Sequence, residues 1–159
     1  EVTWKAGIDV MSFGATKNGA MAAEAVLFFN PDMASDFRFR RKRAGHLLSK
    51  MRFLSAQWDA YLSDGLWLRN ARHANDMARR LTEGLAALGS VTFLYPVDAN
   101  EIFVTFPDSV RDALFSEGFA FYPWVDGGPD CHRLVTAFDT DPRDIDAFIA
   151  VAREAGANG

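Results

Sequence analysis

The sequence predicts an α/β chain in which a short bend joins two strands, helices follow, and an α+β layer completes the chain. Two apolar stretches near the start, residues 8–13 and 22–29, have the length and composition of buried strands. Apolar residues at three- and four-residue spacing predict helices through the middle of the chain. After Gly89, short segments rich in β-branched and aromatic residues alternate with helical segments, which is typical of a sheet covered by helices.

The two opening strands are apolar on both faces. Central strands of a covered sheet have this composition, whereas a half-exposed hairpin alternates apolar and polar residues. We therefore expect 8–13 and 22–29 to be central strands. Residues 1–7 have the pattern of the last turns of a helix, which Gly7 would end. Because a domain rarely begins inside a helix, we expect the chain to be the C-terminal part of a longer polypeptide.

Three helices are predicted between the opening strands and Gly89. Asn30 is the expected N-cap and Pro31 the expected first-turn residue of a helix that runs to Arg43. A second helix is expected over 47–62 and a third over 66–88. Small residues on the third helix indicate close packing on another element. Gly84 near its end should cost about 1 kcal/mol relative to alanine.

The rest of the chain predicts a small antiparallel or mixed sheet with helices on one face. Pro107 and Pro142 each stand at a position typical of a helix start, and Gly118 ends the first of these two helices. The strands are expected at 91–95, 102–106, 119–124 and 133–138, and the helices at 107–117 and 142–155.

Composition is that of a globular chain with a sizeable core. Of its 159 residues, 49% are hydrophobic, and the formal net charge is −4. The negative charge argues against general binding to nucleic acid or anionic membranes, and no apolar stretch approaches the roughly 20 residues of a membrane span. The single cysteine, Cys131, cannot form an internal disulfide, so a cytoplasmic location is the default expectation. No metal is expected, because no metal-ligand spacing links Cys131 with His46, His73 and His132.

The bend between the opening strands holds the first candidate for chemistry, Lys17. Gly14 and Gly19 flank it, and glycine permits close backbone approach and positive φ angles. Burial in an apolar setting favours the neutral, nucleophilic form of an amine, which imine formation needs. A solvent-exposed lysine in a tight turn fits the same spacing.

A resemblance bears on this choice. The contiguous segment from Trp4 through the Thr16-Lys17-Asn18-Gly19 bend to Phe29 is similar to the cofactor-lysine region of low-specificity L-threonine aldolases. These are lyases that depend on pyridoxal 5′-phosphate (PLP) and have the type I, aspartate-aminotransferase-like fold. The resemblance implies that Lys17 forms the Schiff base with PLP. It also implies retro-aldol cleavage of L-threonine, or a related β-hydroxy amino acid, to glycine and an aldehyde.

Two more residues gain roles from the resemblance. Thr16 could place its hydroxyl near the cofactor, although the same hydroxyl could cap the local backbone. Arg133, in a segment similar to the substrate-binding strand of the aldolases, would bind the substrate carboxylate through its planar guanidinium. The alternative is a surface arginine paired with Asp130 or Asp139.

The basic run 38–43 allows several interpretations. It could be a solvated helix end, or part of an interface, because family dimers place basic residues of one subunit near the cofactor of the other. The family's Gly-rich segment and Met-Arg-Gln run are replaced here by residues 45–52, so Lys50 or Arg52 would serve as the phosphate or interface cation. A homo-oligomer, dimer or tetramer, is implied. A nucleic-acid role is disfavoured by the net acidity.

The resemblance also implies a domain scheme. Residues 1–30 would end the large PLP-binding domain, 31–62 would form connecting helices, and 63–159 the small C-terminal domain. In the family, the groups that contact the pyridine nitrogen, phosphate and ring face lie upstream of the lysine, so we expect this chain to be inactive alone. Another type I lyase or transferase acting on amino acids remains open, as does a non-catalytic α+β fragment that packs on a partner chain.

Overall fold

A computed structural model describes residues 2–128 and 130–157. The chain divides into two compact units between Trp67 and Leu68, and each unit is described by itself. The division lies close to the predicted start of the small domain at residue 63. The three-part domain scheme stays a prediction.

The first unit begins with a strand pair. β1 (Val10–Gly14) and β2 (Glu24–Phe28) run antiparallel, with Val10 opposite Phe28 and Gly14 opposite Glu24. Within the described residues the two strands form a sheet of their own. Their place as central strands of a larger covered sheet stays a prediction. Apolar residues on both faces indicate that both faces can be covered, but they do not indicate which element covers them. Consecutive strands joined by a tight bend pair with each other.

Predicted local signals at the ends of short helices are confirmed. Gly7, at φ 85°, ends the 3-10 turn Trp4–Ala6 and donates its N–H to the Trp4 carbonyl. The Asn30 side chain accepts the Asp32 N–H at the start of another 3-10 turn, Pro31–Ala34. Glycine adopts the positive φ that ends the first of these turns without the steric cost that a Cβ would bring.

The first two predicted helices are shorter than expected. The helix expected from Pro31 to Arg43 splits into the 3-10 turn and α1 (Phe37–Arg43). The helix expected over 47–62 begins at Arg52, as α2 (Arg52–Leu62). Positive φ angles at Gly45 (77°) and Lys50 (60°) interrupt the helical path before α2.

Aromatic side chains form the core of the first unit. Phe13 on β1 packs against Trp58 and Tyr61 of α2, with ring centroids 5.3 and 6.5 Å apart, and against Trp67 at 6.0 Å. Ala15 and Ala23, at the two ends of the bend, are buried beside this cluster. The cluster therefore anchors the base of the bend that carries Lys17.

The second unit is an antiparallel sheet covered by helices, as predicted. Its strand order is β3-β4-β6-β5, and both edge strands are only two residues long. The predicted edge strands were too long; Pro123 in β5 lacks the N–H that a longer ladder needs. The elements are α3 (Leu66–Ala86), β3 (Thr92–Phe93), β4 (Glu101–Thr105), α4 (Asp108–Ser116), β5 (Tyr122–Pro123), β6 (Cys131–Val135) and α5 (Pro142–Ala157).

One face of this sheet packs on α3, α4 and α5. Ile102 and Val104 of β4 point into the same core as Leu134 of β6, and all three are buried. The buried helical residues of that core are Met77, Ala78, Leu81, Leu85, Val110, Leu114, Ile145, Phe148, Ile149 and Ala152. Alternation along β6 places Arg133 on the opposite face. Among the described residues, no helix is long and apolar enough to cross a membrane.

Candidate active site

Lys17 is the middle residue of a 3-10 turn, Thr16–Asn18, between β1 and β2. Its side chain is exposed. The Ala15 carbonyl accepts N–H groups from Asn18 and Ala20 at 3.0 and 3.1 Å, and Gly19 completes the bend at φ 111°. The structure thus places the lysine at an exposed tip on a hydrogen-bonded base, rather than in an apolar pocket of the described residues.

The Thr16 hydroxyl joins the two ends of the bend. It donates to Glu24 Oε1 at 2.6 Å and accepts the Ala23 N–H at 3.2 Å. Local capping, one of the two alternatives for Thr16, is therefore observed. A cofactor contact of Thr16 stays a prediction. Glu24 was not singled out by the sequence, although its position opposite Gly14 follows from the hairpin register.

Side chains of α2 hold the other side of the bend. Gln57 Oε1 accepts the N–H groups of Met21 and Ala22 at 2.9 and 3.0 Å. The Asn18 amide donates to the Tyr61 hydroxyl at 2.6 Å and to the Trp67 carbonyl at 3.0 Å. The apolar stripe of this helix predicted that Tyr61 faces inward, but helical spacing does not indicate which backbone or side-chain groups Tyr61 and Gln57 will bond.

The second unit carries the predicted substrate residue, Arg133. It lies on β6 directly across from Phe103 of β4. Its Nη1 is 3.5 Å from Glu101 Oε1, and the two side chains are 38% and 47% exposed. The predicted surface alternative named Asp130 and Asp139 as partners, but the ion pair observed is with Glu101. An exposed pair of this length is weak and exchangeable.

An aromatic wall lies on the same sheet face as Arg133. The Trp124 ring packs on Phe103 with centroids 4.8 Å apart, and Phe103 packs on Tyr95 at 5.5 Å. Trp124 Nε1 is buried and has no hydrogen-bond partner within the described part of the chain. Cys131 lies on this face beneath Gly127, where an added Cβ would stand 2.6 Å from the Cys131 sulfur.

The basic candidates are exposed on the first unit. The cations of the run 38–43 lie on or beside α1, and none of them is buried. Lys50 is exposed and has a positive φ. Arg52 begins α2, and its guanidinium lies 4.8 Å from the Phe53 ring centroid. Their assignment to a phosphate or interface stays a prediction.

His132 is a titratable residue that entered the sequence analysis only through its spacing from other metal-ligating residue types. It is 5% exposed, and its ring packs against the rings of Phe106 and Phe121. Burial lowers the pKa of His132, and the Arg111 charge adds to this effect, although the hydrogen bond to the Asp130 carbonyl opposes it. Among the described residues, no group of three or more His, Cys, Asp or Glu side chains could hold a metal ion.

Comparison with known proteins identifies the family. The family described as Beta-eliminating lyase matches residues 2–109, which is more than half of the chain. The chain belongs to this family. The match includes the Lys17 bend and ends before Arg133.

Two curated relatives within reach of sequence comparison are threonine aldolases. Low specificity L-threonine aldolases from Pseudomonas sp. (strain NCIMB 10558) and Pseudomonas aeruginosa are each 47% identical to this chain over 141 and 142 residues. Each alignment covers 89% of this chain, which spans 40% of the length of each relative. The predicted resemblance to these aldolases is confirmed, and the match covers their C-terminal part.

Solved structures confirm the fold class. The threonine aldolase of Leishmania major superposes with a TM-score of 0.84 at 28% identity, over 94% of this chain and 44% of that chain. The α-aminoadipate aminotransferase LysN of Thermus thermophilus superposes with a TM-score of 0.66 over 99% of this chain and 44% of its own. At 15% identity, the second match supports the fold alone. The chain therefore has part of the type I fold of PLP-dependent enzymes.

Proposed function

We propose that this chain belongs to a PLP-dependent aldehyde-lyase that cleaves L-threonine, or a related β-hydroxy amino acid, to glycine and an aldehyde. The main observation behind this proposal is the exposed Lys17, which lies on a bend that hydrogen bonds join to both β2 and α2. Relatives that are 47% identical and named low specificity L-threonine aldolase support the same activity.

The residues of the bend fit covalent attachment of a cofactor aldehyde. The Lys17 side chain is exposed, so its primary amine is accessible to the aldehyde. When bound, PLP supplies an electron sink for the electrons released as the Cα–Cβ bond of the substrate breaks. In this chain, Lys17 would hold the cofactor, and Thr16 would keep the lysine turn attached to β2.

Arg133 would bind the substrate carboxylate. Its ion pair with Glu101 is long and partly exposed, so an incoming carboxylate can replace Glu101 at the guanidinium. A two-pronged pair would orient the amino acid, and the aromatic wall of Phe103 and Trp124 would limit water access on that face.

The remaining partners belong to the same proposal. Lys50 or Arg52 would serve a phosphate or an interface in a homo-oligomer, because both are exposed cations of the first unit. The substrate would be a small amino acid in the cytoplasm. The net charge of −4 argues against nucleic acid and anionic membranes as partners.

Borohydride reduction tests the lysine assignment. The holoenzyme that contains this chain is reduced and digested, and the pyridoxyl-labelled peptide is sequenced by mass spectrometry. The label is expected on Lys17. A label on another lysine would remove Lys17 from the proposal, and the absence of any PLP adduct would favour the non-catalytic alternative.

A second reaction is kept because the matching family is described as Beta-eliminating lyase. Such an enzyme would release a β-substituent from its amino acid, whereas an aldolase releases an aldehyde. Supplying L-threonine, and separately an amino acid with a good β-leaving group, distinguishes the two. Acetaldehyde from L-threonine supports the aldolase, and a 2-oxo acid with ammonia from the second substrate supports the eliminase.

A further inference from the structure

The Thr16 hydroxyl donates its single hydrogen to the Glu24 carboxylate. The donor–acceptor distance of 2.6 Å is short, as expected when the acceptor is a carboxylate. The same oxygen accepts the Ala23 N–H at 3.2 Å. In this arrangement Thr16 has no hydrogen left to donate to a bound cofactor, because a hydroxyl carries a single donor.

Gly14 explains why the Glu24 carboxylate can lie where it does. The two residues are directly opposite in the strand pair. A Cβ added at Gly14 would overlap Glu24 Oε2 and stand 3.1 Å from its Cδ. Gly14 does not have a positive φ, so its backbone would accept alanine. Glycine at position 14 therefore leaves the space that the carboxylate occupies in this contact, and an alanine there would displace the carboxylate.

The contact acts on the residue next to Lys17. Thr16 begins the 3-10 turn, and Lys17 follows it, so Glu24 fixes the first residue of the turn to β2. We propose that Glu24 is a positioning residue for Lys17, acting through Thr16 in a space that Gly14 keeps open. This inference rests on the proposed function only where it treats Lys17 as the point of cofactor attachment.

Hydrogen exchange tests the contact itself, without a substrate. Amide exchange of Asn18 and Ala20, the two N–H groups bonded to the Ala15 carbonyl, is followed by NMR in the cofactor-free protein. E24A should raise exchange about three- to tenfold, as expected for loss of one exposed charge-assisted hydrogen bond. T16V removes the same bond and also the acceptor of the Ala23 N–H, so it should raise exchange at least as much. T16S keeps the hydroxyl and should exchange like the wild type.

Gly14 provides an independent perturbation of the same contact. G14A should push the Glu24 carboxylate away and raise exchange as E24A does. The double variant G14A/E24A should exchange like E24A alone, because the carboxylate that alanine displaces is already absent. M21A is the matched control, since Met21 lies in the same bend with an 88% exposed side chain and should change nothing.

Cofactor trapping tests the consequence for Lys17. The PLP concentration that gives half-maximal pyridoxyl label after borohydride reduction should rise about three- to tenfold in E24A and G14A and should be unchanged in T16S and M21A. A general loss of stability would not show rescue by T16S or the non-additive double variant. Equal thermal midpoints for these variants would support a local effect.

Failure of the Glu24 proposal can be distinguished from failure of the proposed function. If E24A and T16V leave exchange unchanged, or if G14A and E24A add, the positioning role of Glu24 is wrong, wherever the label lies. If exchange responds as expected but trapping does not, Glu24 holds the turn without positioning the lysine, which also overturns the proposal. If the wild-type label lies on another lysine, the proposed function loses Lys17, and with it Glu24 loses the residue it was assigned to position.

Discussion

The Asn18 amide and the Tyr61 hydroxyl form a hydrogen bond of 2.6 Å that ties the lysine bend to α2. Asn18 follows Lys17 directly, and Tyr61 is 4% exposed within the aromatic cluster. The residue before the lysine is thus held by β2, through Glu24, and the residue after it by α2. The exposed lysine is flanked by two fixed neighbours.

Removing the Tyr61 hydroxyl should weaken the first unit. Y61F keeps the ring in its aromatic contacts but leaves the Asn18 amide with one partner fewer, so the free energy of unfolding should fall by about 1 kcal/mol. Urea unfolding followed by tryptophan fluorescence measures the change. Y122F is the control, because Tyr122 is 75% exposed and its variant should unfold like the wild type.

Arg133 should contribute to substrate binding and not to cofactor retention. In R133A the substrate carboxylate loses a charge-assisted partner worth about 1.5–3 kcal/mol, so KM should rise at least about tenfold while PLP remains bound. Steady-state kinetics of the holoenzyme that contains this chain measure KM, and its cofactor absorbance measures PLP retention. R79A removes another exposed ion-paired arginine, on α3, and should leave KM unchanged. Unchanged kinetics in R133A would exclude the residue from the site.

Gly84 should be required for packing, although helix propensity favours alanine by about 1 kcal/mol. A Cβ at Gly84 would overlap the Ile149 side chain on α5, with Cγ1 at 2.8 Å. G84A should therefore destabilise the second unit by about 1–3 kcal/mol. In an I149A background, G84A should lower the free energy of unfolding by less than it does in the wild type, because the side chain that the new Cβ overlaps is absent. A more stable G84A variant would show that Ile149 moves aside without cost.

Stability should depend on the protonation of His132. Burial lowers its folded pKa below the ordinary value of 6.5, so the unfolded chain binds the proton first as pH falls. The free energy of unfolding should therefore decrease as pH falls below about 6.5, and this loss should level off below the folded pKa. Thermal unfolding between about pH 7.5 and 5 measures it. H132F should have a smaller slope in this window, because it lacks the buried imidazole that binds the proton.

The local backbone conformation was predictable from the sequence where a single residue determines it. Gly7 and Gly19 adopt positive φ angles, and Asn30 caps a turn, because these side chains, or their absence, decide the local conformation. The order of strands and helices in the second unit was also predictable, since alternation and helical spacing report burial directly. The resemblance identified Lys17 as the candidate attachment point.

Contacts between distant residues were not predictable in the same way. The Glu24–Thr16 contact depends on which strand pairs with β1 and in what register, and the sequence specified neither. Gly84 was interpreted as a weak helix position, because propensity does not reveal that Ile149 occupies the missing Cβ volume. The partner of Arg133 was likewise missed, since Glu101 lies on a strand 32 positions earlier in the chain.

The close approach of Gly127 to Cys131 means that the reactivity of this thiol reports local opening of the second unit. The chain has a single thiol, Cys131 is 1% exposed, and Gly127 covers its sulfur. A maleimide or disulfide reagent can reach that sulfur only after the covering turn, Val125–Gly127, lifts from the sheet. The rate of alkylation of the native chain, with no engineered probe, therefore measures how often this turn opens beside the Arg133 strand.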